Sequence, residues 1–153
     1  ICEMSPQIDG LVETSLNLGI LKTQDGEICF HSELRSNKNS SLYALCEKME
    51  HFARFIECKA EITGFYPPWE YLENSPLREM CAEIIFEHKG VKPDIAAIHA
   101  GLECGVFAGQ IDDLDCISIG PEMHDVHTTR ERLSISSTEN LYDILIKILG
   151  KLK

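Results

Sequence analysis

The sequence predicts a two-part fold, α+β and then α/β: a β-β-α-β unit with a helix on one face of an antiparallel sheet, followed by the closing part of a three-layer α/β domain. Three observations predict it. Period-two alternation flanks Asp25-Gly26, apolar residues recur every three or four positions from Leu42 to Ile56, and helical patterns alternate with short apolar runs beyond Pro67-Pro68-Trp69.

In residues 12–20, Val12, Leu16, Leu18 and Ile20 share one side and Glu13, Ser15 and Asn17 the other, the period of a half-buried strand. Asp25-Gly26 is a turn signal, and Ile28, Phe30 and Leu34 then alternate with Glu27, His31, Glu33 and Arg35 to complete a hairpin. Leu42, Leu45, Cys46, Met49, Ala53 and Ile56 form the buried stripe of a helix. A short strand is expected at residues 60–64. Two consecutive prolines, Pro67 and Pro68, remove backbone donors and disfavour helix before them, so the domain boundary falls near residues 69–74, dividing the chain into 1–70 and 71–153.

Ser75 is a helix cap with Pro76 at the first helical position, and Leu77, Met80, Cys81, Ile84 and Ile85 make the buried stripe. Residues 95–98, Ile-Ala-Ala-Ile, read as a strand covered on both faces. Residues 101–108 are a glycine-bounded turn or short helix, and residues 116–119 a second buried strand. Ser136 and Glu139 suggest a capping box for a last helix with Leu141, Ile144, Leu145, Ile148, Leu149 and Leu152 on its apolar face.

Twenty-five acidic against fourteen basic residues give a net charge of −11, which opposes phosphate backbones and anionic lipid and excludes nucleic acid and membrane as expected partners. No apolar run approaches the roughly 20 residues that span a bilayer, and the chain reads as soluble and cytoplasmic. Cys2, Cys29, Cys46, Cys58, Cys81, Cys104 and Cys116 are odd in number and contain no CxxC pair, so they read as small apolar residues in a reducing compartment. An initial Ile1 with strand-like sequence soon after suggests a piece of a longer protein.

Two stretches carry the polar chemistry. Residues 120–131, Gly-Pro-Glu-Met-His-Asp-Val-His-Thr-Thr-Arg-Glu, follow an expected strand and would emerge at its carboxyl end, where open α/β sheets place ligands. Imidazoles and carboxylates at this spacing suit zinc; a polar surface loop accounts for them as well. Residues 98–105, Ile-His-Ala-Gly-Leu-Glu-Cys-Gly, offer His99 and Glu103 beside glycines that permit close backbone approach, and an ordinary strand-to-helix turn is the competing account. Cys104 has no base in a fixed relation to it and reads as an inert thiol.

Those two stretches, with Gly10-Leu-Val-Glu-Thr-Ser-Leu-Asn-Leu-Gly19 and Ile117-Ser-Ile ahead of the Gly-Pro, closely resemble aminoacyl-histidine (Xaa-His) dipeptidases, which are related to aminoacylases and glutamate carboxypeptidases. The resemblance runs in order through essentially the whole chain. It implies a lid domain inserted in an α/β catalytic domain, with residues 1–70 the end of the lid or dimerisation domain and residues 71–153 the end of the catalytic domain. It implies two divalent cations, zinc (Zn2+) first and manganese (Mn2+) or cobalt (Co2+) as alternatives, and a water nucleophile attacking a small dipeptide. His127 matches the family's last metal ligand, whereas His124 lies off that position; His99 and Glu103 fall at substrate-contacting positions. Asn17 and Arg35, polar residues on the expected strands, read as a solvated sheet face, with a place facing the cleft as the alternative.

The chain departs from the family by lacking its His-x-Asp, bridging Asp and Glu-Glu motifs. No catalytic base is therefore assigned within it, and the chain alone is expected to be inactive as a carboxy-terminal fragment. The competing expectation is a non-catalytic self-association module or an inactive relative, with a homodimer formed through the lid.

Overall fold

Two antiparallel strands meet at a turn that needs left-handed backbone at both central positions, and Asp25 (φ 55°) and Gly26 (φ 83°) supply it. In the computed structural model, which describes residues 1–98 and 102–152, this turn joins β2 (Val12–Gln24) to β3 (Glu27–Ser36). The register pairs Thr14 with Ser36 at one end and Gln24 with Glu27 at the other, with an irregularity between Leu18 and Ile20. A two-residue strand, β1 (Glu3–Met4), adds to the open edge of β2, giving the order β1-β2-β3.

The chain divides into two units, one of Ile1–Leu72 with Ala96–Leu114 and the other of Glu73–Ile95 with Asp115–Lys153. In the first, helix α1 (Asn39–Phe55) packs against β3 and buries Leu42, Leu45 and Cys46, the amino-terminal half of the expected stripe. Lys38 is its cap residue without a side-chain cap bond; instead the backbone N–H and side-chain amide of Asn39 donate to Glu70 Oε1 at 2.8 and 3.0 Å. At the base of the hairpin the buried Glu13 carboxylate meets Lys38 Nζ at 3.0 Å.

The expected half-buried sheet face is covered only near that base: Leu18, Ile20, Leu21, Ile28 and Phe30 are exposed. Length explains this. A strand of 13 residues reaches about 43 Å and a helix of 17 residues about 25 Å, so the helix cannot cover the hairpin's far end. Residues 60–64 form no strand, because no ladder partner lies beside them among the described residues; the first unit is therefore β-β-β-α rather than β-β-α-β. The α+β class expected for this unit holds. A short helix, the third along the chain and so named α3 (Glu103–Ala108), completes it.

The second unit begins with α2 (Pro76–Lys89), whose amino terminus follows the sequence reading: Ser75 Oγ accepts the Arg78 N–H at 3.0 Å and Pro76 opens the helix. Asp115 reinforces that end. Its carboxylate accepts the Ser75 hydroxyl at 2.5 Å and the Leu77 N–H at 2.9 Å, which matches negative charge to the positive end of the helix dipole. Cys81 and Ile84 of α2 pack with Ile144 and Ile148 of α4 (Ile135–Lys151), flanked by Leu77, Met80, Ile85 and Ile117.

The cap of α4 differs from the expected box. Ser134 takes the position, its Oγ accepting the Ser137 N–H at 3.3 Å, and Ser136 lies within the first turn. The reason is the preceding hairpin of β4 (Met123–His124) and β5 (Arg132–Leu133), which ends at Leu133 and forces the chain to turn immediately. Residues 95–98 and 116–119 form no strand either; Ile95, Ile98 and Ile119 are exposed, and among the described residues no strand runs alongside them to form a ladder. No helix among the described residues is long and apolar enough to cross a membrane.

Candidate functional site

The loop that follows Gly120-Pro121 is built on the small β4–β5 hairpin. Met123 pairs with Leu133 and His124 with Arg132. Just outside them, the Ser134 N–H donates to the Glu122 carbonyl at 3.0 Å and the Glu122 N–H to Ser137 Oγ at 2.9 Å, which ties the hairpin to the start of α4. Between the strands the chain turns twice through left-handed backbone, at Asp125 (φ 51°) and His127 (φ 64°), a conformation uncommon outside glycine.

Hydrogen bonds within the loop sustain this shape. The Asp125 carbonyl accepts from the Thr128 N–H at 3.2 Å and its hydroxyl at 2.7 Å; Thr128 Oγ1 accepts the Arg130 N–H at 3.1 Å, and the Glu131 N–H reaches the Thr128 carbonyl at 3.2 Å. The His127 N–H donates to Glu131 Oε2 at 2.8 Å, and Arg132 pairs with the Asp125 carboxylate across the mouth of the loop. His127 and His124 are both exposed, His124 on β4 opposite Arg132 and His127 at the loop's second left-handed turn.

An exposed imidazole on a braced backbone has the donor chemistry for a borderline cation such as zinc, so His127 fits the part of one ligand. Among the described residues no group of three or more His, Cys, Asp and Glu side chains comes together to hold a metal. A catalytic cation ordinarily takes three protein ligands. The loop therefore supplies at most part of a site.

In the other stretch, His99 lies outside the described residues. Glu103 is the first residue of α3, after the cap residue Leu102, and is exposed. The glycine at 105 does permit close approach, but of the protein's own chain rather than a ligand: a Cβ there would stand 2.7 Å from the Pro67 carbonyl oxygen and 3.2 Å from the Trp69 nitrogen. Cys104 is half-buried. Asn17 is exposed, and Arg35 is a solvated side chain bonded to Glu33 on its own strand at 2.7 Å. Among the described residues no cysteine is joined in a disulfide, and burial pushes the thiols of Cys46 and Cys81 above the ordinary range, with Glu50 and Asp115 respectively adding to the effect.

The sequence reading missed Glu131, Asp125 and Arg132 as supports of the loop. Their roles depend on its left-handed turns, for which residues 120–131 carry no glycine signal beyond Gly120 itself.

Comparison with known proteins bears on the whole chain. No protein-family model matches it. It is 32% identical over 143 residues to the cytosol non-specific dipeptidase of Escherichia coli (strain K12), a match covering 94% of this chain and 30% of that protein. The crystal structure of the aminoacylhistidine dipeptidase from Vibrio alginolyticus superposes with a TM-score of 0.86 at 29% identity, over 98% of this chain and 31% of that one. The chain is homologous to the dipeptidases. The resemblance carried by the three sequence segments thus extends through nearly all of this chain, which spans about three-tenths of the length of each dipeptidase it matches. The α+β arrangement described above is a portion of the dipeptidase fold.

Proposed function

We propose that this chain is the carboxy-terminal portion of a metal-dependent dipeptidase that hydrolyses Xaa-His or similar dipeptides in the cytoplasm. The observation that carries the reading is the homology and fold match over nearly the whole chain, joined to the exposed, backbone-braced imidazole of His127 in the Gly-Pro loop. In this reading residues 1–70 end a lid or dimerisation domain and residues 71–153 end the catalytic domain. His127 is one ligand of a divalent cation, zinc first among the candidates, and His99 and Glu103 contact the substrate.

A bound cation in such an enzyme lowers the pKa of its water and polarises the scissile carbonyl. The part of this chain is narrower: it holds one imidazole in place. The remaining ligands and the general base would come from the other seven-tenths of a full-length dipeptidase, so the 153-residue chain alone is inactive. The test is hydrolysis of β-alanyl-histidine and other Xaa-His dipeptides by the full-length protein with added zinc or manganese, wild type beside His127→Ala. Metal-dependent cleavage lost in the variant supports both the activity and the ligand; no cleavage with any metal defeats the reading.

A second reading has its own support in the exposed apolar residues of the hairpin arm, Leu18, Leu21, Ile28 and Phe30. Exposed sheet of this kind suits self-association. Sedimentation of wild type and Phe30→Glu tests it, and a module without catalysis would dimerise through the arm while showing no metal-dependent hydrolysis.

A further inference from the structure

His127 stands in a backbone conformation that its own side chain does not favour, and a carboxylate four residues on holds it there. We propose that Glu131 is a positioning residue, which fixes His127 as a metal ligand by accepting its backbone N–H; this rests on the ligand reading given above.

A non-glycine residue at φ 64° persists only where the surroundings over-determine it. Here two sets of contacts do so. The first shapes the loop without touching His127: the β4–β5 pairing of His124 with Arg132, the ion pair of Arg132 with Asp125, and the Thr128 bonds to the Asp125 carbonyl. The second is a single bond. Among the described residues, Glu131 is the side chain bonded to His127 itself, its Oε2 accepting the His127 N–H at 2.8 Å. The Glu131 N–H is anchored in turn on the Thr128 carbonyl at 3.2 Å, so the carboxylate's own starting point is fixed.

The direction of the bond matters. Glu131 engages the His127 main chain, which leaves both imidazole nitrogens outside the loop's hydrogen-bond circuit. A group that holds a ligand's backbone while sparing its ring sets the direction of the ring without competing with a metal for it. Supports of this kind, though outside the ligand set, are worth about 10–100-fold in metal affinity.

What the bond requires is reach and an acceptor oxygen. Glu131→Gln keeps both and loses the charge; Glu131→Asp keeps the charge and loses one methylene of reach; Glu131→Ala loses everything. In the full-length protein, with cobalt(II) as the probe, affinity is read by competition with a chelator and ligand geometry by the visible absorption band. Glu131→Ala and Glu131→Asp are expected to weaken cobalt binding by about tenfold or more and to alter the band, with Glu131→Gln close to wild type in both.

Equal damage by Gln and Asp overturns the proposal, because direct ligation by the full-length carboxylate would then explain the residue. Wild-type affinity in Glu131→Asp overturns it as well, and if Glu131→Ala fails to fold the Asp and Gln pair still decides. His127→Ala separates the two levels of the argument. Unchanged cobalt affinity there removes the ligand reading and the proposal with it, whereas lost affinity there with none lost in Glu131→Asp removes the proposal alone.

Discussion

Replacing Gly105 by alanine tests whether the glycine-rich stretch at 98–105 owes its small residues to packing. A Cβ at this position would lie 2.7 Å from the Pro67 carbonyl oxygen, 3.2 Å from the Trp69 nitrogen and 3.3 Å from the Pro68 carbonyl carbon, all inside the 3.4 Å at which ordinary contact begins. All three neighbours are backbone atoms of a double-proline segment, which has little freedom to retreat. Overpacking of this kind costs about 1–3 kcal/mol. Against it stands the intrinsic gain of alanine over glycine in a helix, up to about 1 kcal/mol.

The internal control is Gly150 in α4, where an added Cβ meets nothing within 4 Å and only the gain remains. Gly105→Ala is therefore expected to unfold at lower urea than wild type and Gly150→Ala at equal or higher urea, the two separated by about 2 kcal/mol at unchanged m. A Gly105→Ala variant as stable as Gly150→Ala would refute the packing argument and return the glycine to the ligand-approach account.

Three further outcomes follow from the cap of α2 and from the buried thiols. Ser75→Ala removes a helix cap and one of the two donors to the Asp115 carboxylate, and is expected to lower stability by about 2 kcal/mol by urea unfolding. Cys46 and Cys81, buried and with thiols raised above the ordinary range, should resist a thiol reagent in the folded protein while the exposed Cys2, Cys29 and Cys58 react. The same raised thiols set a sign for stability against pH. The folded state keeps protons that the unfolded chain gives up, so their contribution is intact at neutral pH and declines above about pH 8.5; Cys81→Ala should flatten that part of the unfolding profile.

What was legible in the sequence was whatever depends on neighbours along the chain. Asp25-Gly26 announced its turn because that turn needs left-handed backbone at two adjacent positions. Ser75-Pro76 announced the start of α2 because both residues act within one helical turn. The misses share a different dependence. Residues 60–64, 95–98 and 116–119 have strand-like composition, but a strand exists only beside another, and the described residues offer none there. Ser136 and Glu139 matched a capping box, yet the β4–β5 hairpin, ending at Leu133, decided that Ser134 should cap. The exposed arm of β2 and β3 shows the same thing in burial: alternation says which residues share a face, while the length of α1 decides how much of that face is covered.

The loop at 120–131 combines both kinds of information. His127 is singled out there only by the family resemblance, and the bond from His127 to Glu131 exists only because His127 turns left-handed, which no periodic pattern encodes. The loop's bonding also bears on how a cation would be acquired. The carbonyls of Asp125, Thr128 and Glu122 and the carboxylates of Glu131 and Asp125 all find donors within the hairpin and the start of α4. A structural zinc site of the finger type, by contrast, folds only with its metal because the ion provides most of the binding order. In the ligand reading proposed above, these bonds would hold the backbone of His127 without help from a cation, so that part of the ordering cost would fall on folding rather than on metal binding.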